Sequence, residues 1–312
     1  MRIAGFSLLI LLIINIVIGL NRNNGFNYTA NYSLDELYPS VCNESCLNKW
    51  TFHDKQYSNT DIELGKKFLK DYIRIDSEEN TEEKIKLIGG SLYSALHNQS
   101  GIPGGLIRSL EPFQQLELLL KDTSQKLWCG NYQAIFGFLS TAAGLENRYV
   151  EVTSSENNTH EVNEIFSSTY NKWIMVDVTR NNIFIIKESL PLSTAEYLNM
   201  QSKGQPVDLY IVKDKVDKSV SFDTVLREAG KSDEYFTNNA LLRYYLEMDL
   251  KKIYSVPAKI KRYIIAAPWF VVYDPKNKQD NTLFRVRQFF IAAFCISFLL
   301  NICLVLKKYL FK

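Results

Sequence analysis

Two apolar runs bracket this chain and limit its fold more than any other feature. Ile3 to Leu20 is interrupted only by Ser7, Asn15 and two glycines. Phe289 to Leu306 is a second run, with Arg285 and Arg287 before it and Lys307, Lys308 and Lys312 after it. Each is close to the ~20 residues a helix needs to cross a ~30 Å hydrocarbon core. Lysines after the second run favour a cytoplasmic tail, and signal-type insertion of the first leaves its N-terminus on the same side. Residues 21–285 are therefore expected beyond the membrane, away from the cytoplasm. The first run reads as an uncleaved signal anchor. A secretory signal is the alternative, with Val17-Ile-Gly19 a weak cleavage site.

The segment between the runs has the character of a folded protein. The chain of 312 residues is 46% hydrophobic and 22% charged, with a formal net charge of +2. That balance excludes a disordered chain and lacks the basic stripe of a nucleic-acid binder. Five cysteines bear on the compartment. Cys295 and Cys303 fall inside the second apolar run. Cys42 and Cys46 are spaced as a disulfide in an oxidising compartment or as unpaired structural thiols. A metal site with His53 has too few ligands to be expected, and neither metal nor cofactor is assigned. Cys129 is left without a partner outside the membrane. Five Asn-x-Ser/Thr patterns, at Asn27, Asn31, Asn43, Asn98 and Asn157, carry little weight in so Asn-rich a chain.

Five segments follow from composition and periodicity: 1–22 the anchor, 23–58 a loop-rich spacer, 59–182 a folded domain that holds Cys129, His160 and Asp177, 183–285 an extension of unassigned role, and 286–312 a transmembrane helix with a basic tail. A capping pattern at Thr60-Asp-Ile-Glu63 predicts a helix to about Ile73. A second helix follows Glu82, with Ile85, Ile88, Leu92 and Leu96 on one face, and a third spans Pro112 to Leu120. A fourth runs from Cys129 to the cap at Gly144, burying Ile135, Phe136, Leu139 and Ala142. Strand-like alternation follows at 148–152, 160–166 and 172–178. Later, 207–212 reads as a strand, 240–253 as a helix, and 262–273 as a strand or interfacial segment. Helices followed by an antiparallel meander make an α+β arrangement.

Three residues stand where a thiol catalyst needs them. Cys129 begins a helix, whose N-terminus stabilises a thiolate, and an imidazole is the other common means of doing so. His160 and Asp177 lie on neighbouring strands. In an antiparallel hairpin paired residue numbers have a constant sum. A sum of 337 sets His160 opposite Asp177, Val162 opposite Met175 and Glu164 opposite Trp173, with the turn centred between Ser168 and Thr169. That pairing lets Asp177 hold one ring nitrogen and leaves the other for Cys129. The backbone N–H of Cys129 is an oxyanion donor, Gln125 or Trp128 is a candidate second, and Glu164 a candidate supporting acceptor. Trp128 and Trp173 are read as cleft walls or core.

These residues resemble the motifs of the transglutaminase-like superfamily, whose papain-like core packs a cysteine helix on a sheet bearing His and Asp. Trp128-Cys-Gly130 resembles the nucleophile motif, and Ala143-Gly-Leu-Glu-Asn-Arg-Tyr-Val150 the Gly-Ile-x-x-Arg-x-Val stretch that follows it. His160 with Glu164, and Trp173 with Asp177 and Thr179, match the other two motifs. Val162 stands where an aromatic is usual, and Val178 where Pro often follows the Asp. The resemblance covers residues ~110 to 180. It implies a Cys129-His160-Asp177 triad acting on amide bonds of a protein or peptide through a thioester. Hydrolysis, as by a protease or amidase, is expected. The alternatives are cross-linking acyl transfer and a catalytically silent binding or assembly module.

Overall fold

The computed structural model describes residues 2–20, 30–31, 46, 57–75, 79–154, 158–213, 223–228, 235–237, 240–245, 270–273 and 282–310. Most of the 23–58 spacer, with Cys42 and His53, lies outside them, as do residues 246–253 and 262–269. Contacts divide the chain into two bodies. One comprises 1–30, 250–268 and 278–312, and the other 31–249 and 269–277. A two-residue strand, β1 (Ala30–Asn31), falls at the chain boundary between them.

The first body contains two apolar helices, α1 (Arg2–Leu20) and α8 (Thr282–Leu310). At 1.5 Å per residue the 29 residues of α8 extend about 43 Å, enough to cross a bilayer. Its apolar window, Thr282–Lys307, is 0% buried. The Asn15 side-chain amide donates to Leu11 O at 2.9 Å on its own helix and to Phe290 O of α8 at 3.1 Å. Leu8 shares a groove with Phe298, Asn301 and Ile302. Position 15 meets 290 and position 8 meets about 301, so the helices pair antiparallel.

The second body is α+β, and both its sheets are antiparallel. Helices precede strands: α2 (Asn59–Phe68), α3 (Thr81–Leu96), α4 (Gly105–Ser109), α5 (Pro112–Lys121) and α6 (Cys129–Ala142). The starts of α2, α3 and α5 show why these segments are helical. Ser58 accepts from Asp61 N–H, Asn80 accepts from Glu83 N–H, and Pro112 opens α5 where its missing N–H costs nothing. The α2 cap is therefore Ser58-x-x-Asp61, two residues before the Thr60 box read from sequence. A π-helical turn, Leu69–Ile73, then carries the chain to the expected end.

In the larger sheet β2 (Asn147–Thr153), β3 (Thr159–Ser167), β4 (Lys172–Val176), β9 (Leu241–Tyr245) and β10 (Phe270–Tyr273) run in the order β10-β9-β2-β3-β4. The smaller sheet, β6-β5-β7-β8, is built from Leu190–Pro191, Phe184–Lys187, Asp208–Lys213 and Asp223–Glu228. The short helix α7 (Thr194–Ser202) lies between β6 and β7 in the chain. The strand read at 207–212 is thus β7. The helix expected over 240–253 is corrected for its described part, because Leu241–Tyr245 is strand. Alternating burial of Leu242 and Tyr244, with pairing to β2 and β10 on either side, outweighs helical propensity there.

Helix α6 is the axis of the core. Ile135, Phe136, Phe138 and Leu139 are buried against Ile85, Ile88 and Leu92 of α3 and Leu116 and Leu119 of α5. It crosses one face of the sheet at close range. A Cβ on Gly137 would lie 2.3 Å from Tyr149 of β2, so only glycine admits this approach. The Gln133 side chain donates to Val162 O at 2.8 Å, and the Asn163 side chain donates to Gln133 O at 3.2 Å. These bonds fix the cysteine helix against the histidine strand.

Candidate active site

The nucleophile position is set by the start of α6. Trp128 is its N-cap, and Cys129 is the first helical residue. The Asn131 side chain secures the entry, because its Oδ1 accepts the Trp128 N–H at 3.2 Å. Its Nδ2 donates to Gln115 Oε1 at 2.8 Å, and Gln115 in turn donates to Leu110 O at 2.9 Å. This buried chain ties the first turn of α6 to α5. The first N–H groups of a helix have no internal partner and carry its positive end, so an anion or oxyanion is favoured beside Cys129.

The strands supply the other two residues, in a register two residues away from the one expected. Asn163 pairs with Val176, Glu164 with Met175, Ile165 with Ile174 and Phe166 with Trp173, so the constant sum is 339. The predicted pairs His160–Asp177, Val162–Met175 and Glu164–Trp173 are corrected accordingly. The structural reason is that β4 ends at Val176 instead of running to Val178. Asp177 leaves the strand at φ −122°, ψ 83° and caps a 3₁₀ turn, Val178–Arg180. Asn181, in the left-handed region at φ 60°, closes that turn. Backbone bonds between Asp177 and Asn182, at 2.8 and 2.9 Å, lock the reversal.

A slip of two leaves each side chain on its expected face. His160 Nε2 and Asp177 Oδ2 are 2.7 Å apart, and both residues are buried. Asp177 Oδ1 accepts the Arg180 N–H at 3.3 Å. On β3, residues 160–162 extend beyond the last pair with β4, which leaves that edge open. The Cys129 side chain is near enough to the His160 ring to raise its affinity for a proton. Nε2 is committed to Asp177, so Nδ1 is the ring nitrogen that this carboxylate does not engage. Burial would lower the affinity of the His160 ring for a proton. The field and hydrogen bond of Asp177, then Cys129, outweigh it and raise the pKa from 6.5 to about 10.

Tyr235 stacks on this ring at 4.8 Å and 24°, with the Arg180 guanidinium 5.4 Å from the tyrosine centroid. Sequence reasoning passed over it, because nothing local to position 235 points to a residue 75 positions earlier.

The supporting candidates take different places. Gln125 Nε2 donates to Asp122 Oδ2 at 2.7 Å. The Trp128 N–H is held by Asn131, and its indole faces outward, 46% exposed, with Arg108 4.7 Å from the ring centroid. Ile102 and Leu106 are also exposed, at 77% and 60%. Their loop is pinned beside the nucleophile by bonds from Gly101 N–H to Leu127 O, 2.9 Å, and from Leu127 N–H to Gln99 O, 3.0 Å.

Glu164 is fully buried, and its partners are structural. Arg148 Nε donates to its Oε2 at 2.6 Å, and the Thr194 N–H to its Oε1 at 2.7 Å. The Arg148 guanidinium lies between Trp173, at 4.3 Å, and Tyr244, at 4.7 Å. Three of the motif residues therefore build one buried cation–π stack on the sheet face that also carries His160 and Asp177. The signal for it was the β2–β3 pairing, where Arg148 lies opposite Glu164. Among the described residues no group of three His, Cys, Asp or Glu is gathered as for a metal ion.

No family model matches the chain, and no curated protein matches it.

Proposed function

We propose that the chain is a membrane-anchored cysteine enzyme with a transglutaminase-like, papain-like core, acting on amide bonds of a protein or peptide. One observation carries the reading: the buried His160 imidazole is held by Asp177 Oδ2 at 2.7 Å, and a helix-start cysteine is near enough to raise its proton affinity further. Imidazolium and helix N-terminus favour the thiolate together. The Cys129 sulfur attacks the carbonyl carbon, and the oxyanion is met by the Cys129 N–H at the positive end of α6. Collapse of the tetrahedral species expels the amine, which takes the His160 proton and leaves a thioester. Water then attacks the thioester carbonyl, gives its proton to His160 and yields the acid; the cysteine sulfur leaves and the pair is restored. Asp177 holds the ring in orientation throughout.

A helical hairpin of α1 and α8 would anchor the enzyme, with the catalytic body away from the cytoplasm. The antiparallel pairing of the helices and the disulfide bonding of Cys46 support this. The test is labelling by a thiol-directed electrophile in a background lacking Cys295 and Cys303, the other free cysteines among the described residues. Labelling should vanish in Cys129→Ala and slow strongly in His160→Ala. Equal labelling of Cys129→Ala would refute the reading. Release of free acid from a peptide library, against incorporation of a labelled amine, separates hydrolysis from transfer.

A further inference from the structure

The carboxyl group of Glu161 has no part in the mechanism above, yet it occupies the most sensitive position near the thiol. Glu161 follows His160 on β3 and so faces the other side of the sheet, toward α6. A Cβ on Gly130 would lie 2.7 Å from its Oε2, so the carboxyl tip is seated against the first turn of α6, one residue from Cys129. A side chain at position 130 would push the Glu161 carboxyl aside. That Oε2 is buried and has no hydrogen-bond partner.

Its neighbours supply no counter-charge from the strand side. Glu161 pairs directly with Glu151 of β2, and like charges directly opposite destabilise each other. Glu151 is satisfied by Arg243 and Tyr245 of β9 and by Thr153 on its own strand. The Arg243 cation is thus spent on Glu151. What remains for Glu161 is the imidazolium of His160 through the strand and the positive N-terminus of α6, which the Cys129 thiolate also requires.

We infer that Glu161 is a positioning residue that sets the reactivity of Cys129 by competing with the thiolate for the N-terminus of α6. Neutral, it leaves that field to the sulfur; ionised, it places a second negative charge on the same helical turn. Burial first, then the charge of Glu151, raises its pKa from 4.5 to about 7 against the opposing pull of His160. The exchange between the two states therefore falls in the physiological range. This rests on the reading of Cys129 as a thiolate nucleophile.

The experiment is the alkylation rate of Cys129 in the full chain from pH 5 to 9, in wild type, Glu161→Gln, Glu161→Asp and His160→Ala. Relative to Glu161→Gln, the wild-type rate should fall by at least about fivefold across an inflection near pH 7, the lower bound set by one like charge about 4 Å away at the dielectric of water. Below pH 6 the two rates should converge. Glu161→Asp, which keeps the charge and withdraws it from Gly130, should give a smaller step. The His160→Ala arm separates the two ideas. If it leaves the rate unchanged while the Glu161 step persists, the His160–Cys129 pair fails and the inference stands. Parallel profiles for wild type and Glu161→Gln overturn the inference whatever His160→Ala shows. If Glu161→Gln does not fold, a wild-type profile with no inflection between pH 6 and 8 overturns it equally.

Discussion

Replacing Arg148 by Met tests the stack that links β2, β3, β4 and β9. Arg148 is fully buried, with Glu164 Oε2 at 2.6 Å and the rings of Trp173 and Tyr244 within 5 Å on either side. Methionine fills much of the volume but takes the guanidinium away from Glu164, which keeps the Thr194 N–H. Removing one partner of a buried ion pair costs about 3–5 kcal/mol, chiefly through the stranded charge. The lost cation–π contacts are part of that figure, since contacts sharing one side chain do not add. Against a typical stability of about 5–15 kcal/mol the variant is marginal. Adding Glu164→Leu removes the stranded carboxylate and unpairs the Thr194 N–H, at about 1–3 kcal/mol. The double variant should therefore be about 2 kcal/mol more stable than Arg148→Met alone. Denaturant midpoints of the full chain in detergent, followed by tryptophan fluorescence and near-ultraviolet dichroism, measure both differences. A single variant losing under about 1 kcal/mol, or a double variant less stable than the single, would show that the charge pair is not what holds these strands.

Two further outcomes follow from the geometry. The His160 pKa is raised from 6.5 to about 10 on folding, so its stabilising contribution is complete below pH 6.5 and is lost as pH rises to about 10. The denaturant midpoint of wild type should fall toward that of His160→Ala over this window; a constant gap between them would contradict the assignment. Replacing Asn15 by Leu removes the side-chain bond to Phe290 O, worth about 0.6 kcal/mol between helices in a membrane, and should lower cross-linking between cysteines introduced on α1 and α8.

What was legible in the sequence was local and periodic. The apolar stripes of α3 and α6 and the alternation of β2 and β3 are repeated many times within one segment, so each residue supports its neighbours' assignment. Where two signals overlap, the reading slips. Ser58-x-x-Asp61 and Thr60-x-x-Glu63 are both caps, and the first is used. Distant partners leave no local trace. Leu241–Tyr245 is a strand because β2 and β10 flank it, and Tyr235 completes the histidine site from beyond the second sheet in the chain. Glu164 was read as a candidate supporting acceptor opposite Trp173, but it pairs with Met175, and the charge it faces is Arg148, fixed by the β2–β3 register and not by the β3–β4 hairpin.

The triad tolerated a register error because the error was even. Side chains alternate faces with a period of two, so a shift of two residues moves a partner along the strand by about 7 Å without turning it over. The reversal at Asp177 then absorbs the displacement: leaving β4 after Val176, the chain brings the carboxylate to His160 Nε2 at 2.7 Å. Parity, more than register, is therefore what the site requires. A double variant, His160→Glu with Glu161→His, exchanges the two neighbouring side chains and isolates this. Composition and net charge are unchanged, yet the imidazole moves to the α6 face, under Gly130 and away from Asp177, while a carboxylate faces Asp177 instead. Alkylation of Cys129 at pH 7 should fall to the rate of the His160→Ala variant, with dichroism confirming that the sheet persists. If the exchanged protein keeps the wild-type rate and its sensitivity to Asp177→Asn, the imidazole reaches Cys129 from either face, and the geometric case for the triad fails.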